Sequence, residues 1–164
     1  MPKSKREPAE RPLLLFVCSG NICRSPIAEV IAAHAAQAAG LDIRVASSGT
    51  MALVGYPAEE TARQVVAELG LALQSHRARQ TTRHQLREAA LVVAATRQHY
   101  AWLRLHDPGA SHVVSFDELT GLGDIPDPYG AGPQEYRVVR DMLVAGMPRV
   151  LDALKARQRK SAND

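Results

Sequence analysis

A chain of 164 residues with 46% apolar side chains is one domain's worth of sequence, long enough to bury a core without disulfides or a structural metal. Its two cysteines exclude a secreted disulfide framework and a four-cysteine zinc site, and no apolar stretch approaches the length of a membrane span. The pI near 9.1 points toward nucleic acid, yet residues 1–12 carry +2 and residues 155–164 carry +3 of a total of +3, which leaves the body near −2.

Residues 1–12, with three prolines and alternating charges, read as a disordered basic lead-in. Residues 13–17 are a continuous apolar run suited to a buried parallel strand. The chain then turns through Gly20 and Asn21, and Ser25-Pro26 resembles an N-cap with proline at the first helical position. A helix over 26–39 stops at Gly40, and a second strand occupies 43–47. A loop over 49–57 borders the first turn, followed by a helix over 58–69. A short helix at 86–90 leads into a third buried strand at 91–95, and helical spacing resumes over 97–105. A fourth strand is expected at 112–115, then the acidic pair Asp117-Glu118, a long proline-containing loop over 121–132, and an amphipathic helix over 136–154, mildly interrupted at Gly146 and Pro148. Alternating strands and helices predict a single α/β domain over 13–154: a four-stranded parallel twisted sheet with helices on both faces and a site at the strands' carboxyl edge. Residues 155–164 are expected to be a basic tail.

The chemistry concentrates where the first strand ends. Gly20 allows a close turn and Asn21 tolerates a left-handed backbone, so the N–H groups of Ser19, Gly20, Asn21, Ile22 and Cys23 can point inward as a nest beside a helix N-terminus. Such a cradle favours a dianion, and the field that holds an anion also favours a thiolate. Cys18 sits at its floor as a nucleophile. Arg24, which with Cys18 brackets five residues, has a planar fork matching two phosphate oxygens, and Ser25 can donate to the sulfur. A thiolate attacking a phosphate monoester also needs an acid for the leaving oxygen. Asp127, in Asp124-Ile125-Pro126-Asp127-Pro128-Tyr129-Gly130, is the best candidate, on a loop stiffened by two prolines. Cys18 and Cys23 share one small loop, and a reversible disulfide between them is expected to protect the nucleophile from peroxide.

The string Phe16-Val17-Cys18-Ser19-Gly20-Asn21-Ile22-Cys23-Arg24-Ser25-Pro26-Ile27-Ala28-Glu29 resembles the signature of the low-molecular-weight protein tyrosine phosphatases, and the resemblance extends over roughly residues 13–154. It implies Cys18 as nucleophile, Arg24 as the phosphate-binding arginine and Asp127 as general acid. Asn21, Ser25, Ser47 and His76 match the family's supporting network. Tyr129 matches an aromatic on the rim of its cleft, and Leu53 belongs to an opposite wall that is aliphatic in Met51-Ala52-Leu53-Val54. The implied activity is hydrolysis of phosphotyrosine in a protein or peptide through a cysteinyl-phosphate, with binding of phosphate or similar oxyanions and without cofactor or metal.

Two neighbouring activities share the loop. Protein-arginine phosphatases resemble this chain along its length but characteristically carry threonine where Ile22 stands, and arsenate reductases relay a disulfide through further cysteines that this chain lacks. A nucleic-acid binder rests only on the basic tails and leaves Cys18, Arg24 and Asp127 unexplained. His99, His106 and His112 match no metal-ligand spacing and read as bland. The N-terminus lacks the apolar core of a secretory signal, so a cytoplasmic location without membrane or nucleic-acid partners is the expectation.

Overall fold

The computed structural model describes residues 6–164. Four strands, β1 (Leu13–Cys18), β2 (Arg44–Gly49), β3 (Leu91–Ala94) and β4 (Val113–Ser115), form one parallel sheet in the order β2-β1-β3-β4. β1 is therefore interior. The chain leaves it for β2 on one side and later returns to β3 on the other, so the order reverses at the carboxyl end of β1, where a doubly wound sheet opens its ligand crevice.

The two faces are covered separately. Alternate β1 residues Leu14, Phe16 and Cys18 pack with α1 (Arg24–Ala38), α2 (Glu60–Ala67) and α6 (Pro133–Ala162), whereas Leu13, Leu15 and Val17 pack with α3 (Arg83–Glu88) and α4 (Arg97–His106). The continuous apolar run of the first strand is the consequence of this two-sided burial.

Three boundaries differ from expectation for identifiable reasons. Helix α1 starts at Arg24 with Cys23 as its N-cap, so Ser25 is not the cap; its hydroxyl is instead occupied by Cys18, Asn21 and the Ser48 carbonyl. A short helix, α5 (Phe116–Thr120), stands where only an acidic stretch was expected. Ser115 Oγ accepts from the Glu118 N–H at 3.1 Å and Gly121 ends the helix with φ 69°. Helix α6 runs without interruption from Pro133 to Ala162, through Gly146 and Pro148 and into the expected basic tail. A proline inside a helix costs about 3 kcal/mol. Buried Val139, Leu143, Met147, Val150, Leu151 and Leu154 each return roughly 1.5–3 kcal/mol on the same helix, and the helix continues. Gly146 is required rather than disruptive, because a Cβ there would lie 2.5 Å from Phe116 Cζ.

Of the expected lead-in over residues 1–12, the first five lie outside the described residues, and Pro8–Glu10 form a 3-10 turn. Among the described residues no helix is long and apolar enough to cross a membrane.

Candidate active site

The loop between β1 and α1 is held in place from three directions. Asn21 has φ 59°, the one non-glycine residue in the left-handed region among the described residues. Its strain is compensated by the hydrogen bonds of its side-chain amide and its carbonyl. The side-chain amide donates to Ser25 Oγ at 2.8 Å and Ser47 Oγ at 3.0 Å, its Oδ1 accepts from the Arg79 N–H at 2.9 Å, and its carbonyl accepts from His76 Nε2 at 2.8 Å. The Ser47 hydroxyl donates to Glu29 Oε2 at 3.2 Å, and His76 Nδ1 lies 3.7 Å from the same oxygen. Gly49, beside the turn at the end of β2, allows the closest approach: a Cβ there would lie 2.2 Å from the Ser19 carbonyl oxygen.

Among the described residues no hydrogen bond uses the N–H of Ser19, Gly20, Asn21, Ile22, Cys23 or Arg24. These donors are free for an anion above Cys18, whose Sγ lies 2.8 Å from Ser25 Oγ at the floor of the loop. Arg24 is buried, with its side chain 7% exposed. Its Nη1 donates to the Ile125 carbonyl at 3.2 Å and its Nη2 lies 3.8 Å from Asp127 Oδ2. The guanidinium thus links the cysteine loop to the acidic loop. Asp127 is 59% exposed and accepts the Tyr129 N–H at 3.1 Å, which stabilises the turn around it.

These groups line one cavity of about 280 Å³, bounded by Cys18, Ser19, Gly20, Ile22, Cys23, Arg24, Met51, Leu53, Asp127 and Tyr129. Asn21, Ser25, Ser47 and His76 stand behind the loop and outside the cavity, as a support. The wall across from Tyr129 is Met51 and Leu53; Tyr56 is exposed and does not reach the cavity. Cys23 is buried, its Sγ 3.3 Å from Tyr136 Oη, and burial pushes its thiol up to about 12 despite that hydrogen bond.

Three contributors escaped the sequence reading. Glu29 lies inside the signature string but has no signal marking it as the partner of Ser47 and His76. Met51 was noted only for lacking an aromatic ring. His99, read as bland, is buried at the start of α4 with Nε2 2.7 Å from Ser19 Oγ, and burial, reinforced by the Arg24 charge, pushes its imidazole down to about 4. Of the other two, His106 stacks on Trp102 and His112 Nε2 donates to the Leu86 carbonyl at 2.6 Å, and neither lines the cavity.

The ring of N–H groups and the buried guanidinium can hold a tetrahedral oxyanion whose central atom faces the cysteine sulfur, with a carboxyl group across the cavity. Known proteins carry the same architecture. Residues 13–160 match the family described as low molecular weight phosphotyrosine protein phosphatase. The low molecular weight protein-tyrosine-phosphatase Wzb of Escherichia coli (strain K12) is 35% identical over 146 residues, 88% of this chain and 97% of Wzb. The crystal structure of the low molecular weight protein tyrosine phosphatase from T. tengcongensis superposes with a TM-score of 0.82 at 34% identity, covering 86% of this chain and 98% of that one. The arginine phosphatase YwlE from Geobacillus stearothermophilus gives a TM-score of 0.79 at 31% identity, covering 91% of this chain and 96% of its own. With the match running from the first strand almost to the end of the last helix, this chain belongs to the low-molecular-weight protein tyrosine phosphatase family.

Proposed function

We propose that this protein hydrolyses phosphotyrosine in protein or peptide substrates through a cysteinyl-phosphate intermediate. The observation that carries the reading is the placement of Cys18 Sγ beneath a ring of unengaged N–H groups, beside a buried arginine and across a cavity from Asp127. The Cys18 thiolate attacks phosphorus and the bond to the tyrosine oxygen breaks. Asp127, protonated, gives its proton to that oxygen so that a neutral phenol leaves. The N–H groups and Arg24 stabilise the charge spread over the three equatorial oxygens, and Ser25 donates to the sulfur when it carries charge. Asp127, now a carboxylate, takes a proton from water as its oxygen attacks phosphorus. The sulfur–phosphorus bond breaks, releasing phosphate and restoring the thiolate.

Asn21, Ser47, His76 and Glu29 hold the loop in its strained shape, and Tyr129, Leu53 and Met51 receive the substrate ring. None of the proposed steps requires a metal or cofactor. The test is Cys18→Ser, which should abolish turnover of a phosphotyrosine peptide while phosphate still binds. Retained turnover in that variant, or loss of wild-type activity in chelator, would overturn the mechanism.

A second reading, hydrolysis of phosphoarginine, is favoured by the likeness to the YwlE arginine phosphatase. Against it stands Ile22, whose apolar side chain lines the cavity and offers no hydroxyl to orient a guanidinium. Phosphotyrosine and phosphoarginine peptides assayed side by side, in wild type and Ile22→Thr, separate the two. Preference for phosphoarginine in the wild type would reverse the assignment.

A further inference from the structure

The first turn of α4 touches both halves of this chemistry. His99 bridges two hydroxyls, with Nε2 2.7 Å from Ser19 Oγ and Nδ1 2.9 Å from Thr96 Oγ1. Thr96 Oγ1 also accepts the His99 N–H at 3.2 Å, which fixes it as the cap of the helix. The same stretch fastens the acidic loop. The Ala95 carbonyl accepts the Ile125 N–H at 3.0 Å, and the Arg97 N–H donates to Asp124 Oδ1 at 3.0 Å. Residues 95–99 therefore hold the residue that follows the nucleophile and the residues that precede the acid.

We propose that the Ser19–His99–Thr96 bridge is a positioning device that sets the distance between the nucleophile loop and the acid loop, with His99 as its central positioning residue. The inference rests on the phosphatase reading. Its physical basis is that proton transfer to the leaving oxygen works only within hydrogen-bond reach, while the phosphorus must simultaneously sit on the Cys18 sulfur. Two loops carrying those groups need a common rigid reference, and a helix turn supplies one.

An imidazole suits the task because its two nitrogens face opposite ways and, in the neutral ring, one donates while the other accepts. Either tautomer completes the bridge. In one, Nδ1–H donates to Thr96 Oγ1 and the Ser19 hydroxyl donates to Nε2; in the other, both directions reverse. Burial and the nearby Arg24 charge disfavour a doubly protonated ring, so one nitrogen stays a donor and the other an acceptor.

The test compares kcat/KM for phenyl phosphate, a poor leaving group, with 4-nitrophenyl phosphate, an activated one, and measures inhibition by inorganic phosphate. In His99→Ala the poor substrate should lose roughly tenfold or more and the activated one only about two- to threefold, because only the former depends strongly on a well-placed acid. The phosphate inhibition constant should move by less than about threefold, since the N–H ring keeps its own supports. His99→Gln, whose amide can bond Ser19 from a similar position, should recover most of the difference between the substrates. Ser19→Ala removes only one hydroxyl, so it reports even if His99→Ala fails to fold. It should reproduce the selective loss, and the double variant should add nothing further. Equal losses on both substrates, no loss, or additive losses would overturn the bridge as a positioning device. An inactive wild type would instead overturn the phosphatase reading and this inference with it.

Discussion

The two sides of the cavity are built in opposite ways. On the cysteine side, Asn21, Ser25, Ser47 and Cys18 are each 2% exposed or less, and a chain of hydrogen bonds runs from Glu29 through Ser47, Asn21 and Ser25 to the sulfur. On the exposed side, which takes in both walls of the cavity, Met51 is 77% exposed and Tyr129 63%. Asp127 there is tied by one N–H and a 3.8 Å approach of Arg24. The buried side has one arrangement available to it, because any change leaves a buried polar group without a partner at about 1–3 kcal/mol each. The exposed side can exchange side chains at little cost to stability. The proposed function places chemistry that needs fixed donors on the first, and recognition that must suit a particular protein substrate on the second.

The contrast is tested most severely at Arg24. Lysine keeps the charge but loses the planar fork and the contact with the Ile125 carbonyl, so Arg24→Lys should lower kcat/KM by about 10²–10³-fold. Thermal melts should show the fold retained. Activity within tenfold of wild type would mean that the buried side does not need fixed donors after all.

Asp127 comes next. Its alanine variant should slow an alkyl or phenyl phosphate by roughly 10²-fold or more, and a nitrophenyl phosphate far less, because a good leaving group departs without a proton. Its exposure implies little change in melting temperature. Equal slowing of both substrates would remove Asp127 from the acid role and leave the exposed side with recognition alone.

The same asymmetry governs how much could be read from sequence. The parallel sheet needed only the apolar runs at 13–17 and 91–95 and the alternation with helices, whereas the order of its strands was not read from them. The loop was legible because its chemistry is local: Cys18, Gly20, Asn21, Arg24 and Ser25 lie within eight consecutive positions. Of the supports, Ser47 and His76 were reached only through the family resemblance and Glu29 not at all, since Glu29 and His76 meet through a carboxylate and an imidazole far apart in the sequence, and periodicity says nothing about such pairs. His99 was invisible for the same reason, its contact with Ser19 spanning 80 positions. Ser25-Pro26 misled because a serine before a proline usually caps a helix, and here tertiary contacts claimed the hydroxyl. Helix α5 was missed although its signal, Ser115 three residues before Glu118 and Gly121 after, was present.

A smaller effect is expected at Cys23, where the buried side carries a thiol that the phosphoryl transfer does not use. We propose that peroxide oxidises the Cys18 thiolate to a sulfenic acid and that Cys23 then attacks that sulfur, forming a disulfide and releasing water. Burial holds the Cys23 thiol near 12, so thiolate is scarce and closure is slow compared with an ordinary thiol. After brief peroxide and then a thiol reductant, the wild type should recover several times more activity than Cys23→Ser. Longer exposure should narrow the gap as the sulfenic acid advances to sulfinic acid. Equal recovery at all times would deny Cys23 a protective role.

The smallest change is expected at the aliphatic wall. The backbone there is fastened to the cysteine loop, with the Leu53 N–H donating to the Gly20 carbonyl at 3.1 Å and the Met51 N–H to the Ser19 carbonyl at 3.0 Å. Only the side chains are free to vary. Leu53→Ala or Met51→Ala removes part of an apolar surface that is proposed to pack against the substrate ring, about 1 kcal/mol of contact, so KM for a phosphotyrosine peptide should rise roughly fivefold. The contact exists before and during the chemical step alike, so kcat should stay within about twofold. Inorganic phosphate, which does not reach the wall, should inhibit both variants as it does the wild type. A fall in kcat at unchanged KM would show instead that the exposed wall shapes the transition state, and the division of labour between the two sides would fail at the place where it should be easiest to see.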